Sequence, residues 1–415
     1  MKPYDIIIIG AGPAGTSAAL FLEKRGCRIA LLDQARFPRD KVCGEFISPA
    51  ADAIFSELGV LESIEAINPV RLKGVALSAY ERSWVQVDYP SSADGTTMSS
   101  LSVERLMLDN LMLGQVRNSQ VELIEGFKVT DLLFDDDNVC GVKGHDEEKI
   151  EFNIHAKMVV DAGGRNSISL RRLNLKQGSS GEGKIALAAH WEGVRLPGQY
   201  CYMHISRPGY TGIAPVGQNK ANVVLVVDKA SLAGQDVDDF YRSTVLKNPL
   251  RREMLGAGEP AEKVRAVDSL AYSVKTPPCG GLVLVGDATG FIDPFTGEGI
   301  YLSLRSSQLA SGVIAGAFNN LDFSKKQLES YDRVRRMEFH KKFQLSKMLQ
   351  RLIYSPSLCI RVVKTLGEHK DLAGMLVGVI GDYIPAGRVV CFEYLLRLAG
   401  GTLRSQPSFL KTEKV

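Results

Sequence analysis

The stretch Tyr4-Asp-Ile-Ile-Ile-Ile-Gly10-Ala-Gly12-Pro-Ala-Gly15, near the start of the chain, decides the fold. Its apolar, mostly β-branched run before Gly10 predicts a strand that is buried on both faces of a parallel sheet. Small and apolar residues from Ala14 to Arg25 then follow at helical spacing, and Gly26 ends this helix before a second apolar run, Arg28 to Leu32. The stretch therefore predicts a strand–helix–strand unit.

The glycines of this unit have the spacing GxGxxG between a strand and a helix. In that setting Gly10 permits a tight turn, Gly12 lets the backbone approach a pyrophosphate, and Gly15 allows close packing of the helix on the strand. The first N–H groups of the helix attract phosphates, and an acid at the end of the second strand suits a ribose diol. The predicted dinucleotide contacts are Gly10, Gly12, Pro13, Ala14, Gly15, Asp33 and Gln34.

Length and composition narrow the class of protein. A chain of 415 residues predicts two or three domains, and a net charge of +3 gives no field for binding nucleic acid. The seven cysteines form no CxxC pair, so we predict neither a disulfide framework nor a metal site, and we expect a reducing cytoplasm. Glycines and a proline interrupt the apolar run at 6–22, so we expect no targeting or membrane-spanning segment.

The rest of the chain shows three kinds of pattern. Two further apolar runs, 157–161 and 281–286, end in Asp or Gly, and we expect these corners to converge with the first one, because ligands of doubly wound sheets bind beyond the carboxyl ends of strands. Alternating patterns between them favour antiparallel sheet, and from about residue 298 the pattern is helical. We thus predict an α/β protein with a doubly wound, Rossmann-type dinucleotide domain at 1–70, 100–175 and 276–325, an antiparallel-sheet substrate domain at 71–99 and 176–275, and a helical C-terminal segment at 326–415.

Three segments carry a resemblance to a known superfamily. Gly286-Asp287-Ala-Thr-Gly-Phe-Ile-Asp-Pro294-Phe-Thr-Gly297-Glu-Gly299-Ile300, Asp161-Ala-Gly-Gly-Arg165 and Val-Glu-Arg105-Leu resemble segments of the flavoproteins that include aromatic hydroxylases, geranylgeranyl reductases and flavin halogenases. The resemblance implies FAD as cofactor. It also implies that a helix starts at the flavin pyrimidine edge, where its N–H dipoles favour the anionic reduced ring. It implies cofactor contacts at Arg105, Gly286, Asp287, Pro294, Gly297, Gly299 and Ile300.

Within that resemblance, Asp161 and Arg165 have two interpretations. They match the internal motif of the hydroxylases, although Ala162 lies between Asp161 and the first glycine. Alternatively, the two side chains form an ion pair that merely holds a turn.

A fourth segment points to one branch of the superfamily. Pro38-Arg39-Asp-Lys41-Val-Cys43-Gly44 is similar to a segment of geranylgeranyl reductases whose cysteine lies near the isoalloxazine ring. The resemblance implies cofactor contacts at Arg39, Cys43 and Gly44. It makes Cys43, with Glu45 beside it, a candidate catalytic proton donor, and the alternative for Cys43 is a small packing residue.

The substrate motif of those reductases is matched only in part. Tyr210-Thr-Gly-Ile-Ala-Pro215 keeps the tyrosine and the proline but lacks the motif's other aromatic residues. Tyr210 and Pro215 are thus candidate substrate contacts, or else they close a turn between two strands.

We expect an FAD-dependent oxidoreductase in which NAD(P)H donates electrons transiently, because the chain carries one dinucleotide fingerprint. The preferred reaction is geranylgeranyl reductase-like reduction of a small lipophilic or carrier-bound substrate, with a proton from Cys43, Glu45 or water. An FAD-dependent monooxygenase, a flavin halogenase and a non-catalytic flavoprotein stay open as alternatives.

The end of the chain is basic. Residues 321–415 contain 17 Lys and Arg against 9 Asp and Glu, and basic and apolar side chains share the segment 333–351. This pattern predicts either peripheral contact with an anionic membrane or carrier, or a helix that covers the dinucleotide domain with a solvated basic face.

Overall fold

The structure is a computed structural model that describes residues 4–92, 94–178, 183–268, 270–291 and 294–400. The strands of these residues, numbered in chain order, are β1 (Tyr4–Ile9), β2 (Ile29–Asp33), β3 (Phe46–Ile47), β4 (Val70–Leu72), β5 (Gly74–Ala79), β6 (Ser83–Asp88), β7 (Ser100–Ser102), β8 (Glu122–Glu125), β9 (Lys128–Asp135), β10 (Asn138–His145), β11 (Glu151–Asp161), β12 (Lys176–Gln177), β13 (Lys184–Glu192), β14 (Tyr200–Ser206), β15 (Gly209–Gly217), β16 (Lys220–Asp228), β17 (Glu259–Pro260), β18 (Arg265–Asp268), β19 (Tyr272–Val274), β20 (Leu282–Leu284) and β21 (Gly290–Phe291). The α-helices are α1 (Pro13–Glu23), α2 (Ala51–Leu58), α3 (Leu61–Ala66), α4 (Arg105–Arg117), α5 (Ile168–Arg172), α6 (Val237–Lys247), α7 (Pro249–Leu255), α8 (Gly299–Asn320), α9 (Lys325–Ile353), α10 (Pro356–Glu368), α11 (Lys370–Ile380) and α12 (Phe392–Leu398).

The first sheet is the predicted parallel one. Strands β8, β2, β1, β11 and β20 lie side by side and run parallel, while the first half of β11 pairs antiparallel with β10 and so with the β9–β10 hairpin. Alternate residues of β1 face opposite sides: Ile6 and Ile8 pack against α1, α4 and α8, and Ile7 and Ile9 pack towards the hairpin. Both faces of β1 are therefore buried, as its uninterrupted apolar run predicts, and the α/β fold class is confirmed.

The register of this sheet brings the predicted corners to one edge. Ile9, Asp161 and Leu284 lie opposite one another at the carboxyl ends of β1, β11 and β20. The turn at Gly10 and the corner at Gly286 therefore follow neighbouring strands, although they are far apart in the chain.

The second sheet has the order β17-β13-β16-β15-β14-β5-β6, with β18 also paired to β13. Most of its pairs are antiparallel, but β14 and β5 run parallel, which the sequence pattern did not indicate. The turn interpretation of Tyr210 and Pro215 is wrong, because both residues lie inside β15, opposite partners on β16. One face of the sheet packs against α6 and α7, and the other packs against the C-terminal helices.

The C-terminal helices connect the two sheets. α9 packs against α8 and against β20 of the first sheet, α10 packs against β5 and β6 of the second sheet, and α11 packs against β6. Among the helices of the described residues, none is both long and apolar enough to cross a membrane. Residues 401–415 of the basic segment lie outside the described part of the chain.

Candidate active site

A cleft of about 1490 Å³ lies beyond the carboxyl edge of the first sheet. Its walls come from the start of α1, the loop after β2, the corner after β20 and the start of α8. The lining includes most of the predicted cofactor contacts: Gly12, Pro13, Ala14, Cys43, Gly44, Arg105, Gly286, Asp287, Gly297, Gly299 and Ile300. Pro294 belongs to a short 3-10 helix, Pro294–Thr296, and the two residues before it, Ile292 and Asp293, lie outside the described part of the chain.

The glycine turn has the close backbone approaches that its motif requires. A methyl group on Gly15 would lie 1.7 Å from the carbonyl oxygen of Gly10, so only glycine lets α1 pack this closely on the turn. Asp33 stabilises the same turn, because its carboxylate accepts hydrogen bonds from the backbone N–H groups of Ala11 (2.7 Å) and Ala35 (2.8 Å). Gln34 is exposed and does not line the cleft.

Cationic side chains gather where α1 begins. A methyl group on Gly12 would lie 3.4 Å from Nη2 of Arg39 and 4.0 Å from Nη2 of Arg105. Both guanidinium groups donate to the buried carboxylate of Asp109, Arg39 at 3.0 Å and Arg105 through two hydrogen bonds of 2.8 and 2.7 Å. Lys41, which lines the cleft beside Arg105, is the third cation of this cluster. Asp109 is shared by the two arginines, and Lys41 lies near both Asp287 and Asp109, so the cations outnumber the carboxylates and the excess positive charge sits at a helix N-terminus.

The pKa shifts of two of these cations follow from this crowding. Desolvation lowers the pKa of the Lys41 ammonium, and the nearby Arg105 guanidinium lowers it further. For Arg105, burial opposes the charged form, but Asp109 and then Cys43 outweigh burial and raise its pKa. A pyrophosphate would supply the anionic partner that this cluster lacks, so the residues present fit FAD.

The corner after β20 pairs Asp287 with a cation of the neighbouring strand end. Nε of Arg165 lies 3.9 Å from the Asp287 carboxylate, and the Arg165 guanidinium stacks 4.5 Å above the Phe291 ring. The proposed ion pair between Asp161 and Arg165 is wrong. Asp161 is buried and accepts hydrogen bonds from Gly163, Ser167 and Ser169, which satisfy its carboxylate without an arginine.

Of the two candidate proton donors, Cys43 lies at the surface of the cleft and Glu45 is buried behind it. Cys43 lines the cleft, and its Sγ accepts a hydrogen bond from the Glu45 N–H at 3.4 Å. The Glu45 carboxylate is buried and does not line the cleft. It accepts a hydrogen bond from the Arg105 N–H at 2.9 Å and contacts Nε2 of His190 at 2.8 Å. Cys43 is therefore available to a molecule in the cleft, whereas an acid role for Glu45 stays a prediction.

A second cavity, of about 1090 Å³, adjoins the cleft. It lies between the second sheet and helices α9, α10 and α11, and no charged side chain is among the described residues that line it. Tyr210 lines it and packs edge-on against Phe295 with 5.1 Å between ring centres, whereas Pro215 is buried in β15 outside the lining. The two cavities share the wall residues Gly44, Phe46, Val224, Thr296 and Gly297.

Helix α9 closes both compartments. Its Phe339, Phe343 and Ser346 line the cleft, and Leu349, Leu352 and Ile353 line the apolar cavity. Next to Phe343, Lys342 turns inward and pairs with Glu298 at 3.0 Å and with Asp382. Burial raises the pKa of Glu298 and lowers that of Lys342. The basic face of this helix is therefore only partly solvated.

Sequence reasoning missed several residues of the site. The partners Asp109 and Arg105 are four positions apart on α4, a spacing that favours a helical ion pair and was a usable signal. Lys41 lies in the segment Pro38–Gly44, whose resemblance to the reductases implies no role for it. His190 and Lys342 gave no sequence signal, because their partners Glu45 and Glu298 are distant in the chain.

Comparison with known proteins agrees with this geometry. Residues 3–342 match the FAD binding domain family, so the chain belongs to that family. It is an FAD-dependent enzyme of a superfamily that contains both reductases and halogenases.

Similar proteins have diverse activities. The chain is 26% identical over 392 residues to conditioned medium factor receptor 1 of Dictyostelium discoideum, covering 91% of this chain and 77% of that one. It is 27% identical over 359 residues to a 1H-pyrrole-2-carbonyl-[peptidyl-carrier protein] chlorinase of Pseudomonas fluorescens, covering 79% of each. It is 26% identical over 323 residues to a menaquinone reductase of Mycolicibacterium smegmatis, covering 75% and 76%.

Among solved structures, the flavin-dependent halogenase CmlS superposes with a TM-score of 0.74 at 26% identity over 82% of this chain. This chain spans 63% of the length of CmlS.

Proposed function

We propose that this protein is an NAD(P)H-driven, FAD-dependent reductase of a lipophilic, unsaturated small molecule, similar to geranylgeranyl reductases. One observation carries the proposal: a large uncharged cavity adjoins the cleft that fits FAD, through a wall that contains Gly44 and Gly297. A substrate in the cavity would therefore lie beside a cofactor in the cleft.

The cavity lining favours an apolar substrate over a polar one. Burial of each methylene group contributes about 0.8 kcal/mol, so a chain of several carbons gains substantial affinity from such walls. A charged substrate would lose its hydration there without gaining a partner, because the described lining offers only weakly polar groups, such as Tyr210, Thr296 and Cys201. The menaquinone reductase among the similar proteins supports the same substrate class by analogy.

Bound FAD would supply two-electron transfer. The chain's own residues would hold and orient it: Arg39, Lys41 and Arg105 on the pyrophosphate, and the start of α8 at the pyrimidine edge. The Cys43 thiol would hold the proton that the reduced substrate needs. Phe339 and Phe343 of α9 would exclude water from the cleft.

Anaerobic mixing of the holoenzyme with NADH or NADPH tests the donor, and product analysis by mass spectrometry tests the acceptor. We expect flavin bleaching by one donor and a product two mass units heavier from a prenylated quinone or prenyl lipid. A short, water-soluble quinone should be a poorer substrate. Reduction of the short quinone alone, or none by either donor, would contradict the proposal.

Flavin-dependent halogenation is a second candidate. The observation that favours it is the similarity to the carrier-protein chlorinase, which covers 79% of both chains. The same preparation, supplied with oxygen, reduced flavin and bromide or chloride, would then yield products with the mass and isotope pattern of a halogen. Oxygenated products without halogen would indicate a monooxygenase instead.

A further inference from the structure

Two residues of the second sheet hold the segment Cys43–Glu45, which forms part of the cleft wall. Nδ2 of Asn222 donates to the Cys43 carbonyl oxygen at 2.7 Å, and Nε2 of His190 contacts the Glu45 carboxylate at 2.8 Å. His190 and Asn222 lie directly opposite each other on β13 and β16. A single cross-strand pair of the second sheet thus holds the backbone beside Cys43 from one side.

The contact between His190 and Glu45 is buried and belongs to a chain of ionisable groups. Nδ1 of His190 lies 2.9 Å from Glu262, which in turn pairs with Arg265 at 2.8 Å, and Arg265 pairs with Asp40. Burial opposes protonation of His190, but Glu45, then Glu262 and Glu104, outweigh it and raise the imidazole pKa. Each ring nitrogen of His190 thus faces a carboxylate, Glu45 behind the cleft wall and Glu262 nearer the surface, an arrangement that suits the protonated ring because a neutral imidazole has only one N–H.

The backbone of Glu45 needs such support. Its φ of +56° is in the left-handed region that residues with a side chain rarely adopt, so surrounding contacts must hold it. The Arg105 N–H binds one carboxylate oxygen and His190 binds the other. Both oxygens are thus used to fix the turn that presents Cys43 and Gly44 to the cleft.

We propose that His190 and Glu45 form a positioning latch, a charged hydrogen bond through which the second sheet fixes the position of Cys43 and Gly44 in the cleft wall. Neither residue lines the cleft or the apolar cavity, so the pair positions the residues of the wall and does not touch the substrate. A buried ion pair is often no better for stability than well-packed apolar residues, and its geometric precision suits a positioning role. The latch is independent of the reaction type, so its test needs no substrate.

The test compares His190→Asn with the same change at the exposed His155, His155→Asn. Asparagine is too short to reach Glu45 from β13. Loss of a hydrogen bond to a charged group predicts about tenfold faster alkylation of Cys43 by iodoacetamide in the apoprotein, and about tenfold weaker FAD binding. Peptide mass spectrometry identifies the alkylated cysteine, and Cys43→Ser removes the signal.

The pH dependence of FAD binding gives a second readout. Because the latch raises the pKa of His190, its contribution is present at low pH and is lost as the pH rises through that raised value. Wild-type FAD affinity should therefore fall on the alkaline side. Deprotonation of Lys41 would weaken FAD binding at high pH in every variant, so the readout is the difference between variants. Glu45→Gln keeps an acceptor for the Arg105 N–H but removes the charge, so its FAD affinity should fall less at high pH than that of the wild type.

Unchanged Cys43 alkylation and FAD affinity in His190→Asn would overturn the proposal, even if the thermal midpoint falls, because that result describes a merely structural residue. If His190→Asn does not fold, Glu45→Gln decides: an alkaline fall in FAD affinity as large as that of the wild type overturns the latch, and a smaller fall supports it.

Discussion

The cleft and the apolar cavity share a wall but are built in different ways. The cleft is formed by backbone turns at strand ends, helix starts and charged side chains such as Lys41, Arg105 and Asp287. The cavity is formed by aliphatic side chains on one face of a sheet and on three helices. The comparison teaches that cofactor binding rests on a few residues with no substitute, whereas substrate binding is spread over many exchangeable ones.

The largest expected effect is the loss of FAD affinity when the glycine turn of the cleft is changed. Gly12→Val places a branched side chain in the space that a pyrophosphate needs, so we expect loss of FAD, with affinity reduced at least ~100-fold, and a folded apoprotein. Absorbance at 450 nm and circular dichroism measure the two. Gly312→Ala, at an open position on α8, should keep its FAD. A yellow Gly12→Val protein with wild-type affinity would show that the turn does not hold the cofactor.

Cys43 lies at the boundary between the two compartments. Cys43→Ser should retain FAD and its reduction by NAD(P)H, while product formation slows by ~10² to 10⁴, the usual contribution of general acid catalysis. Rapid-reaction spectroscopy separates the two half-reactions. Unchanged turnover with a true substrate would make Cys43 a packing residue of the wall.

Lys342 joins helix α9 to Glu298 at the edge of the cleft. Lys342→Met leaves two buried carboxylates without their cation, and loss of one partner from such a pair costs about 3–5 kcal/mol in the free energy of unfolding. Urea denaturation measures it. Lys347→Met, on the same helix but exposed, is the control and should change stability little. Equal midpoints for the two variants would contradict the role of this pair.

A substitution in the cavity should lower kcat/KM for the substrate and leave the FAD content unchanged. Ala214→Phe narrows the cavity, so kcat/KM for a long apolar substrate should fall about tenfold or more, as expected when shape complementarity in a hydrophobic pocket is lost. FAD content and turnover of a short analogue should be unchanged. Gln86→Phe, at an exposed position on the same sheet, is the control. A parallel loss of FAD would show that the compartments are not independent.

The smallest effect concerns delivery of an apolar substrate from a membrane. If exposed basic residues of α9 contact anionic lipid, Arg336→Gln and Lys341→Gln should each weaken binding to phosphatidylserine vesicles by about 1 kcal/mol. Sedimentation at low and high salt measures this. Lys128→Gln, on the exposed side of β9, should have no effect. Binding that is absent at low salt, or insensitive to salt, would contradict an electrostatic contact.

The same contrast explains how much could be predicted from the sequence. The β1–α1–β2 unit was predicted to within two residues at each end, because local periodicity and glycine spacing encode it. The strand β14 was not predicted, because Tyr-Cys-Tyr-Met-His-Ile-Ser does not alternate cleanly between apolar and polar residues. Its parallel pairing with β5 was not predicted either. The cavity could not be predicted, because aliphatic residues that line it resemble those of any core until the fold brings them together.

The order of the two compartments along the chain bears on how such enzymes diversify. The glycine turn, the cations and the start of α8 all precede Leu302, whereas one whole wall of the apolar cavity is encoded by residues 349–380. A single exchange of the last part of the gene would therefore replace that wall while leaving the glycine turn and the cation cluster intact. One wall of the cavity can thus be exchanged separately from the glycine turn and the cation cluster, while the wall formed by the second sheet is retained.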